Sequence, residues 1–170
     1  MSMKSMRCAL ACGAVLGALL AVATPSFAQG LVNTHRISAS LALEAVGAAV
    51  AQCASQGYFE SAVVVDASGT RQAELRGDNA GIHTLDSAMG KAYTSASFKA
   101  PSGAIGERIL ANPQAAQLQR LPGVLFVGGG LPIKIGDEVV GAIGAGGAPG
   151  VDKDEACAQA GIDKIKDRLK

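Results

Sequence analysis

The sequence is poor in aromatic residues and carries little excess charge. It contains no tryptophan, two tyrosines and four phenylalanines, so it offers little surface on which a planar ligand could stack. Its 15 basic residues nearly balance its 14 acidic ones. Because nucleic-acid binding depends on a basic surface that neutralises phosphates, this balance argues against a nucleic-acid partner.

Motifs of catalysis and of nucleotide binding are also missing. No serine stands in a Gly-x-Ser-x-Gly nucleophile elbow, and neither glycine-rich run, 128–130 or 141–150, is followed by a Lys-Ser or Lys-Thr pair. We interpret these glycines as sites of tight turns and of close backbone approach. The sequence therefore gives no positive reason to assign an enzymatic activity.

Residues 1–28 are typical of a cleavable signal peptide. Lys4 and Arg7 precede an apolar run, and the small residues Ser26 and Ala28 fit a signal-peptidase site. The alternative is a membrane anchor. The apolar run is interrupted by glycines and is shorter than the ~20 residues of a spanning helix, so we favour cleavage.

Export changes the properties of the mature chain. Cleavage after Ala28 removes two basic residues and no acidic one, which leaves 142 residues with a net charge of −1. We expect a short N-terminal arm over residues 29–37 and a single domain over residues 38–170. The protein is then expected to be periplasmic or secreted, with no membrane span after cleavage.

The mature chain keeps two of the four cysteines, Cys53 and Cys157. Disulfides persist outside the cytoplasm, and a bridge that closes so long a loop would stabilise the fold by ~4 kcal/mol. The alternative is a pair of small buried thiols. Both residues lie on predicted helices, and the sequence does not give their separation, so both interpretations stay open.

Hydrophobic periodicity predicts an α+β domain. Two strand–turn–strand patterns indicate β-hairpins, and therefore a mostly antiparallel sheet on which the predicted helices would pack. The predicted elements are a helix capped by Ser40 and ending at Gly57, strands 61–66 and 70–76, a helix from an N-cap at Thr84 through Phe98, a short helix over 104–110, a buried strand over 124–127, strands 131–135 and 138–145, and a helix capped by Asp152.

Four strings stand out in the mature chain: Val63–Gly69, Lys91–Thr94, Gly129–Ile133 and the run Gly141–Cys157. In this order and spacing they resemble the GlcG/HbpS haem-binding family, over nearly all of the chain from about residue 38. The resemblance implies a profilin-like two-layer α+β domain that assembles into homo-oligomers. It also implies haem binding for some members, although fold transfers between relatives better than function does.

The resemblance directs attention to His83 as an axial ligand of haem iron. His35 and His83 are the only histidines, and His83 follows a glycine-rich loop and directly precedes a helix, where an imidazole can project into a groove. Lys91, Tyr93 and Thr94 follow on that helix and would line the same groove. The alternative is an exposed histidine that starts a helix of ordinary residues.

Two functions follow from these expectations. The first is an exported haem-binding protein, a carrier, scavenger or sensor component, with a histidine axial ligand. The second is an oligomeric accessory module of a periplasmic oxidation system, which binds a small organic ligand or a protein partner without haem. The glycine-rich strand ends and the scarce aromatic residues motivate the second function.

Overall fold

Two hairpins build the sheet of the computed structural model, which describes Gly30 and residues 32–170. The first joins β1 (Ser61–Asp66) to β2 (Arg71–Arg76), and the second joins β3 (Gly130–Ile135) to β4 (Glu138–Gly146). β1 and β4 pair in the middle, so the strand order is β2-β1-β4-β3 and every pairing is antiparallel. The predicted signal peptide lies outside the described residues. No helix within the described part is long and apolar enough to cross a bilayer.

Helices cover both faces of this sheet. α1 (Ala39–Ser55) and α4 (Val151–Ile165) pack on one face, and α2 (Thr84–Phe98) packs on the other, followed in the chain by α3 (Ser102–Ala111). The predicted α+β class, with helices packed on an antiparallel sheet, is confirmed. Because the sheet lies between two helical layers, the domain has three layers where the resemblance implied two.

The central strand β1 feeds both helical layers. Val64 belongs to the apolar cluster under α1 and α4, whereas Val63 and Val65 belong to the cluster under α2. All of β1 is buried, because a strand covered on both faces has no side that meets solvent. The continuous apolar run in the sequence has this physical origin.

Small residues let α2 lie directly against β4. A Cβ atom at Gly144 would collide with the carbonyl oxygen of Ala88 and would stand 2.6 Å from the backbone nitrogen of Ala92. Helix backbone and strand backbone are therefore in contact, since no side chain separates them. This contact fixes the position of α2 and of the residues that it carries.

A disulfide joins the two helices on the opposite face. Cys53, near the end of α1, is bridged to Cys157 of α4, with the two Cα atoms 5.7 Å apart and both residues buried. Of the two interpretations, a disulfide bridge and a pair of buried thiols, the structure shows the bridge. In the chain-entropy model, a bridge between residues 104 apart contributes ~4–5 kcal/mol.

The segment Val124–Val127 is not the buried strand that was predicted. It is irregular and only partly buried. The amide of Leu125 donates to the hydroxyl of Thr94 at 2.8 Å, and the ring of Phe126 packs against Phe98 with centroids 5.4 Å apart. A short apolar run between glycines does not distinguish a strand from a segment packed against helices, and here α2 supplies the partners.

Three helix starts also differ from the predicted ones. Thr84 is the first residue of α2, and His83, not Thr84, is its N-cap residue. Ser38, and not Ser40, caps α1, because its hydroxyl accepts the amide of Leu41 at 3.3 Å. Gly150 directly precedes α4, so Asp152 lies within the first turn. Asp152 still places a negative charge at the positive end of the helix dipole.

The contact between α2 and β4 predicts the effect of adding one methyl group. Gly144→Ala should lower the free energy of unfolding by about 1–3 kcal/mol or more, because the helix must move away from the strand. Gly47→Ala is the matched control, since no atom lies within 4 Å of its Cβ position. Its free energy of unfolding should rise by about 0.5–1 kcal/mol, because alanine is favoured over glycine inside a helix. Urea unfolding of the oxidised protein measures both. A Gly144→Ala variant as stable as the wild type would contradict the contact.

Candidate functional site

His83 lies exposed at the start of α2 as its N-cap residue, and its side chain makes no capping hydrogen bond. Two exposed apolar residues belong to the same end of the sheet. Ile82 is 85% exposed and Phe59, which leads into β1, is 55% exposed. Gly147 lies between the Phe59 backbone and the start of α2, because a Cβ atom there would meet both the Phe59 carbonyl and the Thr84 side chain. The exposed His83 therefore directly follows the exposed Ile82, and the backbone at Phe59 passes close to the same helix start.

Hydrogen bonds anchor the loop that precedes α2. Thr84 donates its hydroxyl hydrogen to the Gly81 carbonyl at 2.7 Å, so Ser61, 2.7 Å away, is the donor to Thr84. From β2, Nε of Arg76 donates to the Ala80 carbonyl at 2.9 Å. These bonds hold the loop to β1 and β2 and place a guanidinium beside it.

Lys91 is buried, and its ammonium is bonded to two protein groups. Its ammonium donates to Oδ2 of Asp154 at 2.6 Å and to the carbonyl of Ala145 at 2.9 Å. Asp154 in turn accepts the amide of Ala148 at 2.9 Å. Because Lys91 is only 2% exposed, it joins α2 to α4 and to the end of β4 instead of reaching a surface ligand.

Thr94 and Tyr93 also contact other parts of the protein. Thr94 is buried, and its hydroxyl donates within its own helix besides accepting the Leu125 amide. The half-buried Tyr93 ring lies against Gly69 and Gly123, two glycines with positive φ. The structure therefore gives the predicted site residues separate surroundings, and of His83, Lys91, Tyr93 and Thr94 only His83 is exposed.

The other histidine, His35, is hydrogen-bonded to Glu138 from the arm. Its Nδ1 lies 2.9 Å from Oε2 of Glu138, and this hydrogen bond lowers the pKa of the Glu138 carboxyl. The neighbouring Arg36 pairs with Asp66 at 3.3 Å. The end of the predicted arm is thus fastened to both hairpins.

A groove of about 850 Å³ opens between α3, the irregular segment before β3 and the start of α4. Leu110, 80% exposed, and Val151, 50% exposed, contribute to its apolar wall. Its charged lining residues are acidic: Glu107, Asp152 and Glu155. Among the described residues that line it there is no histidine, cysteine, methionine or tyrosine. The groove suits a small apolar or cationic molecule and offers none of the usual axial donors to haem iron.

A buried carboxyl beside the disulfide was not predicted. Glu60 is 1% exposed, its Oε2 contacts the sulfur of Cys53, and its Oε1 has no hydrogen-bond partner among the described residues. Burial, and then the negative charge of Asp154, raise the pKa of Glu60 to about 8 against the opposing effect of Lys91. Glu60 is therefore mostly protonated at neutral pH. Since a disulfide sulfur has no hydrogen, the carboxyl is the donor in this contact.

The sequence contains only weak signals for this cluster. Glu60 stands directly before an apolar strand, which is an unusual place for a buried acid. Asp154 and Cys157 are spaced i, i+3, so they share one face of α4. The decisive contact, between Lys91 and Asp154, joins residues 63 apart in the chain, and no local pattern reveals it.

Comparison with known proteins agrees with the fold and with the resemblance. The family model described as haem degrading protein HbpS-like matches residues 37–163. The crystal structure of a double mutant of Streptomyces reticuli HbpS is 38% identical in sequence. It covers 83% of this chain and 96% of that chain with a TM-score of 0.74.

Two further proteins are more distant. An uncharacterized 15.0 kDa protein from the dhaT-dhaS intergenic region of Citrobacter freundii is 29% identical over 102 residues, which is 59% of this chain and 71% of that protein. The crystal structure of a PduOC:heme complex is 23% identical, covers 76% of this chain and 95% of that chain, and has a TM-score of 0.68. The second likeness concerns the fold alone.

The buried carboxyl predicts a pH-dependent stability. Between the ordinary pKa of 4.5 and the raised value of about 8, folded Glu60 holds a proton that the unfolded chain has lost. Wild-type stability should therefore fall as pH rises through this window and level off above it. The glutamine of Glu60→Gln cannot ionise. From pH 5 to pH 8.5 this variant should therefore lose less free energy of unfolding than the wild type does, by on the order of 2–4 kcal/mol.

Urea unfolding at the two pH values measures this difference. Glu107→Gln, which removes an exposed carboxyl, should follow the pH profile of the wild type. Parallel profiles for the wild type and Glu60→Gln would contradict a buried, protonated Glu60.

Proposed function

Because the chain belongs to the HbpS-like family, we propose that it is an exported haem-binding protein, a carrier, scavenger or sensor component, with His83 as the axial ligand of the iron. The exposed imidazole of His83 is the observation that carries this proposal. Histidine is a common haem ligand, and a neutral ring nitrogen that is not committed to a helix cap is available to iron.

The surroundings of His83 fit the remaining needs of haem. A porphyrin needs apolar contacts, for which Ile82, beside His83, and Phe59, before β1, are the exposed candidates, and its propionates need cationic or hydroxyl partners. Arg76, bonded to the loop before His83, is the nearest such cation along that loop. Lys91 is not available, since Asp154 and Ala145 occupy its ammonium. Bound haem would supply an iron centre whose chemistry depends on this axial ligand.

The comparisons support haem as the ligand to test. The family description names haem, and PduOC, a protein with the same fold, forms a complex with heme. Both facts are properties of those proteins. Their relevance to this chain depends on whether it offers an iron donor, and His83 is the exposed candidate.

Titration with hemin tests the proposal and its ligand assignment. The wild type should give a saturable shift of the Soret band. His83→Ala should bind at least roughly tenfold more weakly, since even loss of an outer-shell partner of a metal has an effect of this size. His35→Ala is the matched control, because His35 is also exposed but is paired with Glu138, and it should bind as the wild type does. A Soret shift and affinity unchanged in His83→Ala would refute the assignment.

The apolar groove favours a second candidate function, an accessory module that binds a small organic ligand or a protein partner without haem. The groove is large, and its charged lining residues are acidic. It is formed by α3, the irregular segment before β3 and the start of α4. Leu110→Glu in the same hemin titration tests whether the groove is free for a partner other than haem, because loss of the Soret shift in this variant would contradict the second function. If haem binds at His83, this variant keeps its Soret shift; if it loses the shift, the groove is the haem site. The homo-oligomer that the resemblance implies stays a prediction.

Export is the remaining part of the proposal, and it predicts a shortened chain. Expression of the full sequence should give a periplasmic or secreted protein that begins at Gln29, as intact mass and N-terminal sequencing would reveal. Leu19→Arg places a charge in the apolar run and should block this processing. Wild-type protein that keeps residues 1–28 in the cytoplasmic fraction would contradict the proposal.

A further inference from the structure

Two sulfur atoms and a carboxylate oxygen meet between α1, β1 and α4. The ligand atoms of Cys53, Glu60 and Cys157 all lie within 4.8 Å of one another, and all three residues are buried. Ligands around one zinc ion stand roughly 3–4 Å apart, given Zn–S distances of ~2.3 Å and Zn–O distances of ~2.0–2.2 Å. The cluster therefore brings the ligand types of a metal site together, and the two sulfurs, bonded in the bridge, have to move apart on reduction to reach this spacing.

The disulfide does not explain the carboxyl group. A bridge between Cys53 and Cys157 needs no third residue, and Oε1 of Glu60 has no hydrogen-bond partner among the described residues. A buried polar atom without a partner is costly, and few occur in a native fold. A cation held between the carboxylate and the two sulfurs would give this oxygen a partner.

We propose that the reduced protein binds one Zn²⁺ ion between Cys53, Cys157 and Glu60. A phosphine or dithiol reductant supplies two electrons, the sulfurs take up two protons, and the S–S bond becomes two thiols. Zn²⁺ then displaces the two thiol protons, and Glu60 binds as carboxylate after releasing any proton it holds. The same cluster thus joins α1 to α4 by a covalent bond when oxidised and by a metal ion when reduced.

The ligand set selects a borderline or soft divalent cation. Two thiolates favour Zn²⁺ and exclude Mg²⁺ and Ca²⁺, which prefer oxygen ligands. Three protein ligands leave one coordination position for water. This proposal does not depend on haem, because none of its three residues belongs to the surface around His83.

Cobalt spectroscopy tests the site directly. Cys8→Ser/Cys12→Ser is the background, so that Cys53 and Cys157 are the only thiols. After phosphine reduction, one equivalent of Co²⁺ should produce a thiolate-to-cobalt charge-transfer band, and Zn²⁺ should abolish it. The oxidised protein, which has the same sequence, should show no band. Glu60→Gln should weaken Co²⁺ binding roughly tenfold or more, and His83→Ala should leave it unchanged.

Thermal unfolding of the reduced protein provides a second readout. Zn²⁺ should raise the Tm of reduced protein and leave that of oxidised protein unchanged, because a ligand of the folded state stabilises only the form that binds it. Adding Cys53→Ser and Cys157→Ser should remove both effects. The proposal is overturned if reduced protein gives no charge-transfer band, if oxidised protein gives the same band, or if Glu60→Gln binds as tightly as the background.

Discussion

The buried ion pair between Lys91 and Asp154 is the interaction on which the arrangement of the domain depends. Lys91 belongs to α2, on one face of the sheet, and Asp154 belongs to α4, on the other. Each charge has a further backbone partner, Ala145 for the ammonium and Ala148 for the carboxylate. Buried charges are tolerated only when paired and hydrogen-bonded in this way, and loss of one partner typically costs ~3–5 kcal/mol. The pair therefore determines how the two helical layers meet around the end of the sheet.

The same ion pair shapes both chemical features of the molecule. It holds Lys91 inside the protein, whereas Arg76 is bonded to the loop before His83. It also places the negative charge of Asp154 near Glu60, which adds to the effect of burial in raising the pKa of that carboxyl. Gly129 is required beside the pair, because a Cβ atom there would stand 2.8 Å from the Asp154 side chain and 3.0 Å from the Lys91 ammonium.

The parts of the fold that the sequence predicts are those with local causes. The hairpins follow from alternation and from turn residues such as Gly136, which has positive φ, and α2 follows from periodicity up to Phe98. The segment Val124–Val127 was predicted wrongly, because its character depends on contacts with α2. Lys91 was expected to face a ligand, and its burial depends on Asp154, far away in the chain. Local sequence patterns do not reveal such long-range contacts, and a buried cluster is made mainly of contacts between residues far apart in the chain.

The two candidate ligand surfaces lie at opposite ends of one short loop. Gly147 touches Phe59 and Thr84, near His83, whereas Val151 lines the groove. Between them, the amide of Ala148 is bonded to Asp154, so the loop is tied to the buried ion pair. The residues around His83 and those of the groove are thus supported by the same buried charges, although no residue is shared between the two surfaces. A ligand on one surface therefore need not displace a ligand on the other, and haem binding at His83 is compatible with a second partner in the groove.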